Sequence, residues 1–291
     1  MMTKKPNNIP GLIIVLLLWA CHKNVKEPLV LFDKTPVTYT VTTSIAEASG
    51  IASSKVNPGY LWVHEDSGNP SQLHIIKNDG TFLKSIFISN AVNMDWEDIA
   101  LSYGPHASIN YLYLADIGDN GLIRPEYIIY RFEEPLLSVD TVSSVENIRF
   151  QYPDGAHDAE AILVDDASKD IYIITKSDDP SRIYKLVYPQ STTFTNLAMP
   201  VGQLSFGGAT SAALSVTGKE IIIKTYPAVS YFEKKPGETI EECLKRSYVN
   251  LPYQVEPQGE AVGFEADDSG FYTLSEKGFS SVVTLFFYKR K

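Results

Sequence analysis

Five times along the chain the same unit recurs: an apolar strand, a tight turn, a second strand, a longer polar loop and a third strand. This repeat limits the fold more than any other feature, because one unit cannot bury its own apolar face and must stack on neighbours. The first copy begins at Ile51 and continues through 60–63 and 73–76; the second uses 99–101, 111–114 and 127–130. The third uses 161–164, 171–174 and 183–186, the fourth 212–214, 220–223 and 229–232, and the fifth 261–264, 271–274 and 282–285. A fourth strand follows in the first four copies, as at 81–87. Four antiparallel strands per repeat is the unit of a propeller blade. The sequence therefore predicts an all-β fold, a five-bladed β-propeller over 31–291. Its last blade lacks an outer strand, which 37–41 would supply, closing the ring and covering an edge. Six blades would need a repeat that is not present; a β-sandwich is the structural rival, since short strands at regular spacing suit it too. Only 239–245 reads as a short helix or turn.

Ahead of the repeats lies an address. Lys4 and Lys5 precede an apolar run over 12–19, followed by Ala20 and Cys21. A positive start, a short apolar segment and a small residue before the cut mark a secretory signal. At roughly 1.5 Å rise per residue the run is too short for a bilayer core of about 30 Å. Leu18-Trp19-Ala20-Cys21 resembles the bacterial lipobox, which implies a signal peptide at 1–20, lipidation of Cys21 and a polar tether over 21–30. A plain signal peptide with an incidental cysteine is the alternative. The expected location is a bacterial cell envelope, the outer membrane in particular, with a lipid anchor as the sole membrane attachment.

Composition agrees with a folded domain and narrows its partners. Apolar residues make up 44% of 291, enough for a sizeable core. The formal charge is −10, and removing Lys4 and Lys5 with the leader makes it −12, which argues against nucleic acid. Two cysteines exclude a disulfide scaffold and a cysteine-rich zinc site. With Cys21 lipidated, Cys243 is left as a lone thiol. The domain is expected as a monomer.

Within a blade, the start of the inner strand and the loop between second and third strands share one face. The turns on the other face are ordinary punctuation, and Asp165, Asp166, Asp267 and Asp268 read there as turn formers. On the first face, aligning the copies at the start of the inner strand gives Ser49, Glu97, Glu160, Thr210 and Glu260, spaced by 48, 63, 50 and 50 residues. Inner strands line the axis, so these five side chains should converge. Three carboxylates together repel unless a cation neutralises them. An all-oxygen set with irregular geometry suits Ca²⁺ better than Mg²⁺, and the absence of His and Cys disfavours Zn²⁺. The bland alternative is that each side chain bonds only its own inter-blade loop. A small shift in alignment would put Glu47 in place of Ser49, or Ser211 in place of Thr210.

These five residues resemble the ligand set of secreted calcium-dependent apyrases, five-bladed propellers whose central Ca²⁺ takes Ser, Glu, Glu, Ser and Glu in order; Thr210 is the departure. The stretch 259–264 is similar to the apyrase Glu-Gly-Ile-Glu-Phe segment. The openings at Ser49, Trp96 and Ala159 also resemble those of bacterial SdiA-regulated and phytase-like propeller lipoproteins, which implies envelope location more than a reaction. The apyrase resemblance implies a metal-polarised phosphoryl group and an acid, Asp66 or Asp116, that orients water.

Loops on the same face carry His64, Asp66, Asp116, Arg124, Lys176, Arg182 and Lys224. Cations among acids over a divalent ion could hold a phosphate or carboxylate, so Lys176, Lys224, Arg124 and Arg182 are the candidate anion-binding groups. His64 is a candidate general base, or simply a hydrogen-bonding residue between blades. Apyrases carry an arginine in the loop that here reads Glu65-Asp66-Ser67-Gly68-Asn69, which weakens a nucleotidase reading. Nucleophile elbow, Walker loop and zinc-protease motifs are missing. Two functions stand: an envelope propeller that binds and hydrolyses a small anionic phosphate ester, or a non-catalytic one that binds a glycan, peptide or protein.

Overall fold

The structure is a computed structural model that describes residues 30–41, 45–278 and 282–291. The expectations for 1–29, including Cys21 and most of the tether, lie outside the described residues. Leu31–Lys291 forms one compact unit. Among the described residues no helix is long and apolar enough to cross a membrane.

Five sheets stand around an axis, and each starts from an inner strand: Ala48–Ser53, Trp96–Tyr103, Ala159–Val164, Ala209–Leu214 and Gly259–Phe264. Each inner strand lies beside the next, and Gly259–Phe264 lies beside Ala48–Ser53, so the five complete a ring. Within each sheet the chain runs outward by antiparallel pairing, in blade two from Trp96–Tyr103 through Asn110–Asp116 and Tyr127–Glu133 to Glu146–Gln151. The N-terminal strand Val37–Thr40 pairs antiparallel with Thr284–Lys289 and is the outermost strand of blade five.

The second strands read as almost unbroken apolar runs because both of their faces are buried. In Asn110–Asp116, Leu112 and Leu114 enter the core shared with blade one, while Tyr111, Tyr113 and Ala115 enter the core shared with blade three. The same alternation gives one apolar core at every seam between neighbouring blades. Fully burying a leucine or isoleucine contributes about 1.5–3 kcal/mol, so the seams carry the fold's stability and leave the axial ends free for polar residues.

Three features depart from the sequence reading. Blades one and two each gain a short fifth strand, paired parallel: Thr141–Val142 beside Phe82–Ile88, and Asn196–Leu197 beside Glu146–Gln151. Both come from the following blade and stitch one outer edge to the next. The third strand of the last blade is Thr284–Lys289, starting later than 282–285. That register sends Leu285 into the seam with blade one and Phe286 and Tyr288 into the seam with blade four, whereas Val282 stays exposed. The expected short helix is Ile240–Leu244, opened by a capping box in which the Thr239 hydroxyl accepts from the Glu242 N–H (3.2 Å) and the Glu242 carboxylate from the Thr239 N–H (3.0 Å). Its Cys243 is buried and free.

Candidate metal centre

All five inner strands are interrupted at the same place. The pairing register slips by one residue between Ala48 and Gly50, Trp96 and Asp98, Ala159 and Ala161, Ala209 and Ser211, and Gly259 and Ala261. The extra residue of each bulge is Ser49, Glu97, Glu160, Thr210 or Glu260. A bulge bends its strand and re-aims the side chain. These positions are the ones aligned from sequence, and the bulges fall on Ser49 and Thr210 rather than on Glu47 or Ser211. All five residues are buried.

Their environments differ. The Ser49 hydroxyl donates to the Glu97 carbonyl of the next blade (2.9 Å), and Thr210 to the Gly259 carbonyl (3.4 Å). Glu160 takes the ammonium of Lys176, which also donates to the Tyr226 hydroxyl (3.0 Å), and Tyr226 in turn donates to Glu260 (2.8 Å). Yet, among the described residues, Glu160 Oε2 and Glu260 Oε2 are both buried without a hydrogen-bond partner. Buried carboxylate oxygens are rarely left so.

Two groups of three carboxylates gather here, with ligand atoms within 4.8 Å of one another: Asp66, Glu260 and Glu276, and Asp66, Asp95 and Glu97. Asp66 belongs to both. Such clusters could hold a metal ion. Burial, and then the neighbouring carboxylates led by Glu160, hold Glu97 well above the usual range. Burial pushes Glu160 to about 9 even though Lys176 pulls it down. Burial and Glu260 push Glu276 to about 8, and burial and Asp66 push Asp95 to about 6. Gly118 roofs the second group: a Cβ there would sit 2.1 Å from Glu97 Oε1 and 2.4 Å from Asp95 Oδ2. A side chain there would push both carboxylates aside.

The other candidate residues divide. Lys176 and Asp66 face the cluster. Asp116 is in neither acidic group; its carboxylate is held by Arg124 (2.8 Å) and by the N–H groups of Asp95 (3.2 Å) and Met94 (3.4 Å). Arg124 is spent on that pair and on the Gly118 carbonyl (2.8 Å). Arg182 is exposed and paired with Asp154 (2.9 Å) and Asp178 (3.4 Å). Lys224 is fully buried against Glu256 (3.3 Å) and Tyr253, in the seam between blades four and five. His64 is also fully buried; desolvation lowers its pKa to about 4, and its Nε2 has no hydrogen-bond partner among the described residues. A methyl on Gly50 would lie 2.2 Å from that nitrogen, so the ring fills the space beside the inner strand.

Three residues were not singled out from sequence. Asp95 sits two positions before the aligned Glu97, and Glu276 lies in a rim loop already read as polar; a count of carboxylates flanking the aligned set would have found both. Asp98 follows the bulge and crosses the axis. It accepts from Ile99 N (3.0 Å), Ile162 N (2.9 Å), Ser211 Oγ (3.0 Å) and Ala212 N (3.2 Å), while Ser211 Oγ accepts from Val262 N (3.2 Å). One carboxylate therefore ties blades two, three and four together and reaches blade five through Ser211. Burial pushes it to about 8 against the pull of these donors.

No family model matches the chain, and no curated protein matches it. Among solved structures it is similar to the hydrazine synthase of Kuenenia stuttgartiensis (14% identity, 82% of this chain and 70% of that one, TM-score 0.43). It is also similar to a nidogen/laminin complex (11%, 79% and 73%, TM-score 0.47). An auxiliary nutrient binding protein from Bacteroides thetaiotaomicron is a further likeness (7%, 89% and 73%, TM-score 0.47). At such identities the likeness concerns fold.

Proposed function

We propose that this chain is an envelope lipoprotein whose axial mouth binds a divalent cation, Ca²⁺, and through it a small anionic, oxygen-rich ligand. The observation that carries the reading is the pair of carboxylate oxygens on Glu160 and Glu260, buried and unpartnered among the described residues, beside the two acidic groups that share Asp66. Asp66, Asp95, Glu97, Glu260 and Glu276 would hold the ion, an oxygen-only donor set from separate blades and loops that suits a large, geometrically tolerant cation. The bound ion supplies charge that neutralises the carboxylates and a point of attachment for an anionic oxygen. Lys176, clamped on Glu160 beside Tyr226, orients the neighbouring wall and offers a second positive charge to the ligand. The signal and lipobox of residues 1–21 support envelope anchoring.

Binding is favoured over hydrolysis because the groups proposed for phosphate contact are engaged elsewhere: Arg124 with Asp116, Arg182 with Asp154, Lys224 with Glu256. Of the three candidate catalytic side chains, Asp66 alone belongs to the acidic groups. Thermal unfolding of the full chain in Ca²⁺, Mg²⁺ and EDTA tests the site. Calcium at about 100 times its Kd is expected to stabilise by about 2.7 kcal/mol, and Asp66→Asn to remove most of that gain. A flat calcium titration would end the metal reading. Calcium-dependent turnover of phosphate monoesters or diesters, lost in Asp66→Asn, would replace binding by hydrolysis.

A further inference from the structure

At the opposite end of the ring from the acidic mouth, blades one and five part around a cleft of about 510 Å³. That lies within the roughly 300–1,000 Å³ typical of small-molecule sites. Its walls are the turns on the face that sequence reads as ordinary punctuation, together with the N-terminal strand. Three aromatic rings line it: Tyr39 from the N-terminal strand, and Tyr272 and Phe287 from blade five. Tyr272 is buried, packs on Phe287 at 4.7 Å, and donates its hydroxyl to Glu265, so the floor is rigid. Tyr39 and Phe287 are partly exposed. The close approach of the 78–80 turn to the N-terminal strand requires Gly80, which has φ +81°; a Cβ there would meet the Thr40 carbonyl oxygen at 2.8 Å.

Between the rings stand hydrogen-bonding groups of both kinds. The Asn78 side chain is exposed and, among the described residues, makes no hydrogen bond, so its amide offers donors and an acceptor. Asp267 and Ser269 line the far wall, with Asp267 accepting from the Ser269 N–H (2.9 Å). Among the described residues the one lining cation, Lys55, stands 4.0 Å from Asp166 and over the Tyr103 ring. An anion would therefore meet acids with no free counter-charge, and a purely apolar ligand would strand the amide and carboxylates. A ligand with weakly polarised C–H faces and a rim of hydroxyls satisfies both sets of groups, because the electron-rich ring face attracts C–H while amides and carboxylates take O–H.

From this we infer a second binding site, for a neutral pyranose saccharide, between blades one and five and independent of the metal centre. The test is isothermal titration of the full chain with maltotriose, cellotriose and mannotriose, each in calcium and in EDTA. At least one trisaccharide is expected to bind with a Kd at or below about 1 mM. EDTA should leave that affinity unchanged, which separates this site from the mouth. Phe287→Ala and, because a ring deletion can unfold the blade, the exposed turn variant Asn78→Ala should each weaken binding about tenfold or more. No binding of any of the three sugars at roughly ten times that concentration, or binding that both variants leave intact, would overturn the inference.

Discussion

The two ends of the axis are built from the same five strands and have opposite chemistry. At one end the bulged residues and their loops gather Asp66, Asp95, Glu97, Glu160, Glu260 and Glu276, with Lys176 clamped on Glu160. At the other, Ile51, Ile99, Leu101, Ile162, Val164 and Leu214, with Ser53, Ser215, Lys55 and Asp166 among them, line a funnel holding a cavity of about 60 Å³. Asp98 marks the waist between them. The contrast teaches how a ring of sheets can carry electrostatic strain. Repulsion is gathered at the start of the inner strands, where bulges loosen the ladder, while the rest of each strand is locked into largely apolar seams whose buried charges are paired, as Lys224 is with Glu256.

Breaking the waist should have the largest effect. Asp98→Ala leaves three backbone N–H groups and the Ser211 hydroxyl without their acceptor, each worth about 1–3 kcal/mol when buried, so a loss of at least about 3 kcal/mol is expected in urea unfolding. A loss below 1 kcal/mol would mean that the seams alone hold the ring.

The charged end should respond to pH with the sign opposite to that of an ordinary ion pair. Glu160 (about 9), Glu276 (about 8) and Asp95 (about 6) have folded pKa values above their unfolded ones. The folded state thus holds more protons than the unfolded state above pH 4.5, and stability in EDTA should fall as pH rises from 5 to 9. Glu97→Gln in EDTA at pH 8 should raise Tm by about 2–4 °C, equivalent to roughly 1 kcal/mol in a chain this size, and should blunt the response to calcium. A profile that rises toward pH 9, or a Glu97→Gln variant that melts lower, would show that Lys176 already balances the mouth. The funnel end should respond least. Ile162→Val is expected to cost about 0.5–1.5 kcal/mol at every pH, with or without calcium, measured by the same unfolding curves.

Much of this was readable in the chain. The strand cores, the short helix or turn at 239–245 and the five aligned residues follow from local periodicity and from repeat length, and the bulges fall on that alignment. Less readable were features set by two blades at once. Thr141–Val142 and Asn196–Leu197 carry too few residues for any pattern, and they become strands because a neighbouring outer edge has free backbone groups to bond. Thr284–Lys289 slipped from the expected 282–285 because two seams, one on each face, select its register. The cations were placed by loop position alone, yet Arg124, Arg182 and Lys224 each found an acid closer than the axis.

By itself, then, the order of residues determined how many sheets there are and that oxygen side chains hold equivalent places near the start of each inner strand, since both depend on spacing along one chain. Folding in three dimensions decided which carboxylates meet, which cations are left to face them, and that Asp98 binds the blades across the axis. The physical reason is range: periodicity is written in near neighbours, whereas pairing of charges is settled by burial and distance between segments that only the closed ring brings together.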